Sequence, residues 1–571
     1  HHMFQEGRNL EGNQEVIQYK TLILRCGFDE RKHGYLNPCQ DILNDKLPSP
    51  QDIDNEDSYK PVPFQPTNPY DEKAHLCNIV LKGEETNMYM MTEEKEYFED
   101  DMIVEFKYEL NNEDGWRWVP LRVRYDKTAE LRAGLKNYGN AYHVANNNWH
   151  SIHQPITEFM ISTGENLPEY ERNDVYYNRS TDETSTQGLR DFHNLFVKNS
   201  LITGVSSRDD TLIDYAVGKA GDMSKWIRSK VKFVFGIDVS KDNIHNQMDG
   251  ACTRFIQANK KYTKMPKALF VTGNSSLNIR NGEAVGTDKD KQIIKAVFGN
   301  GPKDISLLGK GVYNQYGVAE TGFNVSSCQF AIHYFFENKT TFHNFIRNVA
   351  ECTKINGYFI GTCYDGKTVF KLLEDKNTDE GITIMKNDRK IFEITKMYDK
   401  TGFPDEEMSL GYAINVFQES INKVFREYLV NFDYLTRIME DYGFVLVTSE
   451  EATQLGLHDG TGMFSELYSS MTEEIKQNPN HKNNYGKAMY MSPEEKQISF
   501  MNRYFVFKKV RSLDVKKMHE IILNKEEITR NIVDNILEGN EIEPSELLPT
   551  EPLVQKKTTR KIKKDKIVLQ K

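Results

Sequence analysis

No run in these 571 residues approaches the ~20 consecutive apolar positions that a helix needs to cross a bilayer, so no membrane span is expected. No signal peptide is visible, and His1-His2-Met3 reads as a cut purification tag, with residues 1–17 as tag and lead-in. Cysteine is sparse. The seven (Cys26, Cys39, Cys77, Cys252, Cys328, Cys352 and Cys363) are odd in number, scattered, and hold no C-x-x-C pair. That pattern argues against a zinc ribbon or a disulfide frame and for a reducing compartment, with no metal site expected. Negative charge outweighs positive outside the end of the chain. The net charge is −11, yet residues 554–571 hold eight Lys or Arg against one Asp, which leaves −18 on the rest. A body this acidic is not a general nucleic-acid sponge, so a polyanion must be met by a local basic patch or by the tail.

What is present is length for about three or four domains, and one stretch around which the rest is organised. Residues 212–217 are a short apolar run fit for a buried parallel strand. Gly218-Lys219-Ala220-Gly221-Asp222 follows, a turn of small residues that lets backbone approach a ligand. Residues 223–229 can start a helix, and residues 231–238 form a second strand ending on Asp238. Asp238 lies 24 residues after Asp214, about the spacing at which a doubly wound fold sets an acid on a ribose diol. An ordinary βαβ unit shares these features, and the neighbouring stretches decide between the two.

Residues 18–135 read as a β-rich domain, a small barrel of short strands. Strands are expected at 19–26, 76–81, 87–91, 102–109 and 117–124, the second and third of them pairing, with loop over 48–69. Arg122 and Arg124 alternate on one strand face, where two guanidinium forks suit a phosphate, or simply face water. Residues 136–188 are a connector, polar and linker-like over 165–187. From 189 to 510 strand and helix alternate, the pattern of an α/β sheet. A helix over 189–202 sets Asn194 and Lys198 on one face. Another helix covers 241–261, and strand 268–274 ends on Asn274-Ser275, placed to meet an adenine edge or to cap a loop. Residues 276–321 form an insertion expected over the strand ends. Further strands fall at 323–330, 357–362, 413–417, 444–448 and 503–508, and helices at 341–354 and 421–442. Residues 511–571 are a C-terminal helix and a basic tail.

Taken together, Asp214, Gly218–Asp222, Lys225-Trp226, Asp238, Ser327-Cys328-Gln329-Phe330-x-x-His333-Tyr334 and Gly357-Tyr358-Phe359-Ile360-Gly361-Thr362 resemble the mRNA cap guanine-N7 methyltransferases. The resemblance spans roughly residues 189–510. It implies a class I, Rossmann-like fold that binds S-adenosylmethionine and releases S-adenosylhomocysteine. By matching position, it implies that Lys198, Asp214, Ala216, Gly218, Lys219, Asp222, Asp238, Asn274, Ser275 and Gln329 hold the nucleoside. Asn194, His333, Tyr334, Glu427 and Tyr504 would hold the cap guanine, with His333, Tyr334 and Glu427 nearest the chemistry. A cap also carries a triphosphate bridge, which basic side chains near the turn, Lys219 and Lys225 among them, or Arg122 and Arg124 could meet. Upstream, Ile103–Phe106, Trp118 and Arg122–Lys127 resemble the last motif of RNA guanylyltransferases, carried on an OB-fold. There Arg122, Arg124 and Lys127 would approach phosphates. That order is similar to the multifunctional capping enzymes of large DNA viruses, the mimivirus kind included. Capped RNA (GpppN) is then the implied partner, together with guanylyltransferase and triphosphatase domains beyond this chain. The implied location is a viral factory in the host cytoplasm, or the virion.

The sequence departs from these patterns in places. The guanylyltransferase Lys-x-Asp-Gly is absent, so no lysyl-GMP chemistry is expected. Ala216 and Ala220 stand where the methyltransferase turn usually has Gly, Val217 where it has Cys, and Asn274 replaces Asp. A second reading is therefore a weakened methyltransferase-fold scaffold that binds capped RNA or supports a partner. A third is a small-molecule methyltransferase fused to an OB domain.

Overall fold

The computed structural model describes residues 2–8, 14–50, 59–67, 69–83, 87–163 and 185–523. Most of the 165–187 linker and the whole basic tail lie outside the described residues. The chain divides into two units, one built mainly from residues 1–41 and 48–172, the other mainly from 173–244 and 250–571.

The first unit is β-rich as expected. Gln14–Ile23 pairs with His2–Arg8 and with Leu76–Val80, Arg25–Asp29 with Tyr59–Pro63, and Val104–Tyr108 with Trp118–Val123. The strand at Tyr59–Pro63 lies inside the stretch read as loop, and Met90–Met91 pairs with Tyr97–Phe98 rather than with 76–81. Among the described residues these ladders remain separate small sheets and do not close into one barrel. Trp118 packs against both apolar clusters, one around Phe28, Phe64 and Trp149, the other around Cys77, Ile79 and Phe98. The connector forms helices Tyr142–His153 and Glu158–Thr163.

The second unit is a sheet of eight strands. In chain order these are β1 (Thr211–Asp214), β2 (Phe233–Asp238), β3 (Lys267–Thr272), β4 (Phe323–Gln329), β5 (Thr353–Tyr364), then, after a separate sheet, β10 (Phe444–Leu446), β11 (Thr461–Met463) and β12 (Asn502–Lys509). The order is β3-β2-β1-β4-β5-β12-β10, with β11 also on β12. The first five are parallel and β12 is antiparallel to β5. The order reverses between β1 and β4, which opens a crevice at their carboxyl ends, where doubly wound sheets take ligands. The parallel strands are buried along almost their whole length, as sheets covered on both faces must be. Gly361 on β5 leaves room for its neighbours: a Cβ there would collide with Phe505 and lie 2.6 Å from the Cys328 carbonyl.

The separate sheet is antiparallel, β6 (Gly381–Lys386), β7 (Arg389–Lys396), β8 (Ala413–Gln418) and β9 (Lys423–Tyr428) in sequential order. It corrects the reading of 421–442 as one helix. Lys423–Tyr428 pairs with β8, and the helix begins only at Phe432, where Asn431 caps it. Val424, Phe425 and Tyr428, a β-branched residue and two aromatics, favour a strand once a partner exists. The helix expected over 241–261 is likewise two, Lys241–His245 and Ala251–Lys261.

The insertion reaches both ends of the sheet. At the carboxyl end of β3, Asn274 N–H donates to the Ala284 carbonyl (2.8 Å) and Val285 bridges Gly273. Other parts of it run along helix α2 (Lys339–Cys352), where Arg280 donates to the Glu351 carbonyl, and Phe298 packs on Phe323, the first residue of β4. Buried Asn348 pins the start of the insertion: its amide donates to the Ser275 and Leu277 carbonyls (2.8 and 2.7 Å) and accepts from Ile279 N–H (2.9 Å).

Candidate active site

The crevice is lined first by the turn after β1. Gly218 and Ala220 both adopt positive φ (54°), a conformation easy for glycine and costly for alanine. The Asp238 carboxylate at the end of β2 locks this turn, accepting from Gly218 N–H (2.7 Å), and on its other oxygen from Ser240 N–H and Asn243 Nδ2 (3.0 Å each). A Cβ built on Gly221 meets nothing within 4 Å, so the turn faces open space. The residues present fit a nucleoside that lies against backbone there.

Behind the turn sits a buried charge cluster. Lys198 and Lys225 both reach Asp222, at 3.0 and 2.8 Å. Burial would raise the Asp222 carboxyl, but the two ammonium groups hold it down at about 2. Asp214 feels Lys198 more weakly than Asp222 does. Burial, with the charge of Asp222, raises its carboxyl to about 7, against a hydrogen bond from Ala216 N–H. Lys219 pairs with Asp242 at 3.0 Å and is buried. Lys219 and Lys225 were expected at the triphosphate; instead carboxylates of the turn region hold them, because a buried ammonium needs a counter-charge.

Helix α1, residues 187–205, brings Lys198 to Asp222. Its middle, Phe192–Val197, is a π-helical turn, a feature frequent at functional sites. Asn194 lies on that turn and donates to the Arg190 carbonyl at 3.0 Å, so Asn194 and Lys198 are not equivalent neighbours on one regular α-helical face. His193, which the sequence did not single out, stacks on Phe330 with ring centroids 5.1 Å apart, and its Nε2 lies 2.9 Å from Ser499 Oγ.

Gln329 ends β4 level with Thr362 of β5 and, beyond it, Tyr504 of β12. Thr362 Oγ1 donates to Gln329 Oε1 (3.2 Å) and accepts from Phe330 N–H (3.0 Å). Phe330 is held at φ 55°, a strained turn that sends the chain into the 3₁₀ helix Ile332–Glu337. Ser275 donates to the Tyr215 carbonyl. Asn274 is exposed and its carbonyl oxygen caps Ser276, the loop-cap alternative. Tyr504 is fully buried beside Gly462, its hydroxyl without a hydrogen-bond partner.

The other half of the site is a pair. His333 and Glu427, each at most 6% exposed, face one another with Nε2 and Oε2 3.6 Å apart, too far for a hydrogen bond. Among the described residues, neither His333 nitrogen has a partner, nor has Glu427 Oε2. Burial alone lowers the imidazole to about 3 and raises the carboxyl to about 8, so both are neutral near pH 7. Buried polar atoms are normally hydrogen-bonded, and orphans of this kind mark a place for a polar ligand. Half-buried Tyr334 stands against His333 with ring centroids 4.3 Å apart. His333 lies four positions after Gln329, which limits their Cα atoms to within about 14 Å of one another.

In the first unit, the phosphate-binding expectation is not met by free cations. Arg122 is held by Glu105 (2.9 Å), Arg124 by Asp126 (3.3 Å), and Lys127 by Glu130 (2.9 Å). Arg124 also lies one residue past the strand end, so the two forks do not share a strand face.

Topology, turn and paired acids define a class I S-adenosylmethionine-dependent methyltransferase fold. The chain belongs to the mRNA (guanine-N(7))-methyltransferase domain family, whose model matches residues 169–510. It is 26% identical over 462 residues to a probable mRNA-capping enzyme of Acanthamoeba polyphaga mimivirus, covering 74% of this chain and 37% of that one. It is also 25% identical over 283 residues to the mRNA cap guanine-N(7) methyltransferase of Aspergillus niger (46% of this chain, 42% of that one). The corresponding protein of Saccharomyces cerevisiae matches at 22% over 331 residues (57% and 64%). The chain thus spans between about a third and two thirds of the length of these relatives.

Proposed function

We propose that this chain transfers a methyl group from S-adenosylmethionine to N7 of the guanine cap of RNA, as the methyltransferase part of a capping enzyme. The observation that carries the reading is the buried, unpartnered His333–Glu427 pair, four residues beyond the Gln329 end of the nucleoside crevice.

S-adenosylmethionine supplies an activated sulfonium methyl. Asp238 and the Gly218–Asp222 turn would seat its nucleoside, and Gln329 and Ser275 would border it. Guanine N7 carries a free lone pair, so no residue has to remove a proton from it. Neutral His333 is suited to accept or donate one hydrogen bond, not to act as an acid. Glu427, once ionised, accepts from the N1 and N2 hydrogens of the guanine and opposes the positive charge that grows on the ring as N7 is alkylated. Tyr334 orients the base and excludes water. The rest of the rate enhancement comes from holding N7 and methyl in near-attack geometry.

The test is labelled-methyl transfer to GpppG-ended RNA, with the product digested to locate the methyl. Label at N7, lost in Glu427→Ala, supports the reading. Full N7 methylation by Glu427→Ala removes Glu427 from it, and label elsewhere on the RNA overturns it. The scaffold reading draws on Ala220, whose positive φ and buried methyl tighten the turn. A scaffold need not bind S-adenosylmethionine, so calorimetry separates the two.

A further inference from the structure

Beside the site lies a surface that the chemistry above does not use. Helix α1 carries Asn194, and its outer side is covered by residues 478–490. Asp191 accepts from Lys487 N–H at 2.8 Å, and Phe196 packs edge-on against Tyr485 at 5.2 Å. This segment is basic and aromatic in a chain whose body is strongly acidic. Tyr490 is 64% exposed, with the Lys482 ammonium 4.7 Å from its ring centre. Lys482 and Lys487 are exposed, and Lys496 lies 4.8 Å over the Tyr468 ring. Nearby acids are mostly engaged: Glu474 accepts from Tyr485 and contacts His481, Glu473 pairs with Lys476, and Glu494 is half-buried. Among the described residues, no carboxylate forms an ion pair with Lys482, Lys487 or Lys496.

We propose that Tyr490, with Lys482, Lys487 and Lys496, is a stacking and phosphate platform for the nucleotides that follow the cap. This rests on the cap reading above and adds the path of the RNA body. An exposed ring accepts any base on its face, and the ammonium groups track the backbone without reading sequence. Position supports the assignment, since Asp191 and Phe196, which hold the platform, flank Asn194 on the same helix. An exposed ring set among unpaired ammonium groups suits a polyanion of stacked bases, which favours RNA over a protein partner.

The experiment compares the full chain on GpppG dinucleotide and on capped RNA of about 20 nucleotides, longer than one such site. Tyr490→Ala is expected to raise KM for the long substrate by about tenfold. Lys482→Ala with Lys487→Ala should reduce the salt dependence of long-RNA binding by a log–log slope of about 1.4, two phosphates' worth. Kinetics on the dinucleotide should not change. Equal changes on both substrates, or none on the long one, overturn the proposal. So does a patch whose variants lose stimulation by an added protein and show no length effect. Should the parent chain methylate neither substrate, the cap reading fails. Filter-binding affinity for the same RNA, expected to weaken in the variants, then still decides the platform.

Discussion

Cap binding should release a proton. Burial holds Glu427 neutral, with its carboxyl at about 8, and His333, at about 3, adds no charge. The guanine N1 and N2 hydrogens need an acceptor-only carboxylate. At pH 7 about one site in ten is ionised, so apparent affinity for GpppG should rise about 25-fold between pH 6.5 and pH 8.5 and then level off. Calorimetry at pH 7 in buffers of different ionisation heat should show about 0.9 proton released per cap bound. Glu427→Gln should bind weakly with no slope. Stability of the free protein carries the opposite sign. A carboxyl raised on folding stabilises most below its ordinary value, and that contribution is lost as pH rises through about 8. Glu427→Gln should therefore melt relatively higher than the parent at pH 9. Affinity that is flat from pH 6.5 to 8.5, with no proton released, would refute the reasoning.

Other changes have equally definite outcomes. Asn348→Leu strips three buried backbone groups of their partner; at about 1–3 kcal/mol each, denaturant unfolding should show at least about 3 kcal/mol lost, with weaker S-adenosylmethionine binding as the Ser275 loop loosens. Lys198→Met leaves Asp222 with one cation instead of two and should cost about 3 kcal/mol by the same assay, with nucleoside affinity falling as the turn shifts. Gly361→Ala meets Phe505 and the Cys328 carbonyl and should cost about 1–3 kcal/mol by overpacking. Arg122→Ala, by contrast, removes only an exposed pair with Glu105 and should leave the melting temperature unchanged within error.

The parallel half of the sheet was legible because buried strands read as apolar runs and the acid at Asp238 marks the end of one. The turn follows from the same local pattern, whereas Gln329 and His333 were singled out by the family resemblance. Glu427 is different. Its residue was found by resemblance, but its strand was read as helix, because 423–428 becomes a strand only through its pairing with 413–418, a contact that periodicity does not encode. The insertion, expected over the strand ends, does pair at the carboxyl end of β3, but its reach along the helix toward the amino ends was not visible in the sequence. What pins its start is Asn348, a polar residue on the buried face of α2 between Phe345 and Val349. That interruption of an apolar stripe was a visible signal, although its partners were not. The basic residues near the turn and on strand 118–123 were read as open to phosphate; their counter-charges, Asp242, Asp222 and Glu105, come from elements a single stretch of sequence does not bring together.

The central claim is that a nucleoside seated at the Asp214–Asp238 turn and a guanine on Glu427 share one passage. A crystal structure of the chain with S-adenosylhomocysteine and GpppG tests it most directly. The expected result is the guanine N1–N2 edge on the Glu427 carboxylate with N7 turned toward the sulfur. Sulfur and N7 separated by protein side chains, or a guanine bound away from His333 and Glu427, would contradict it.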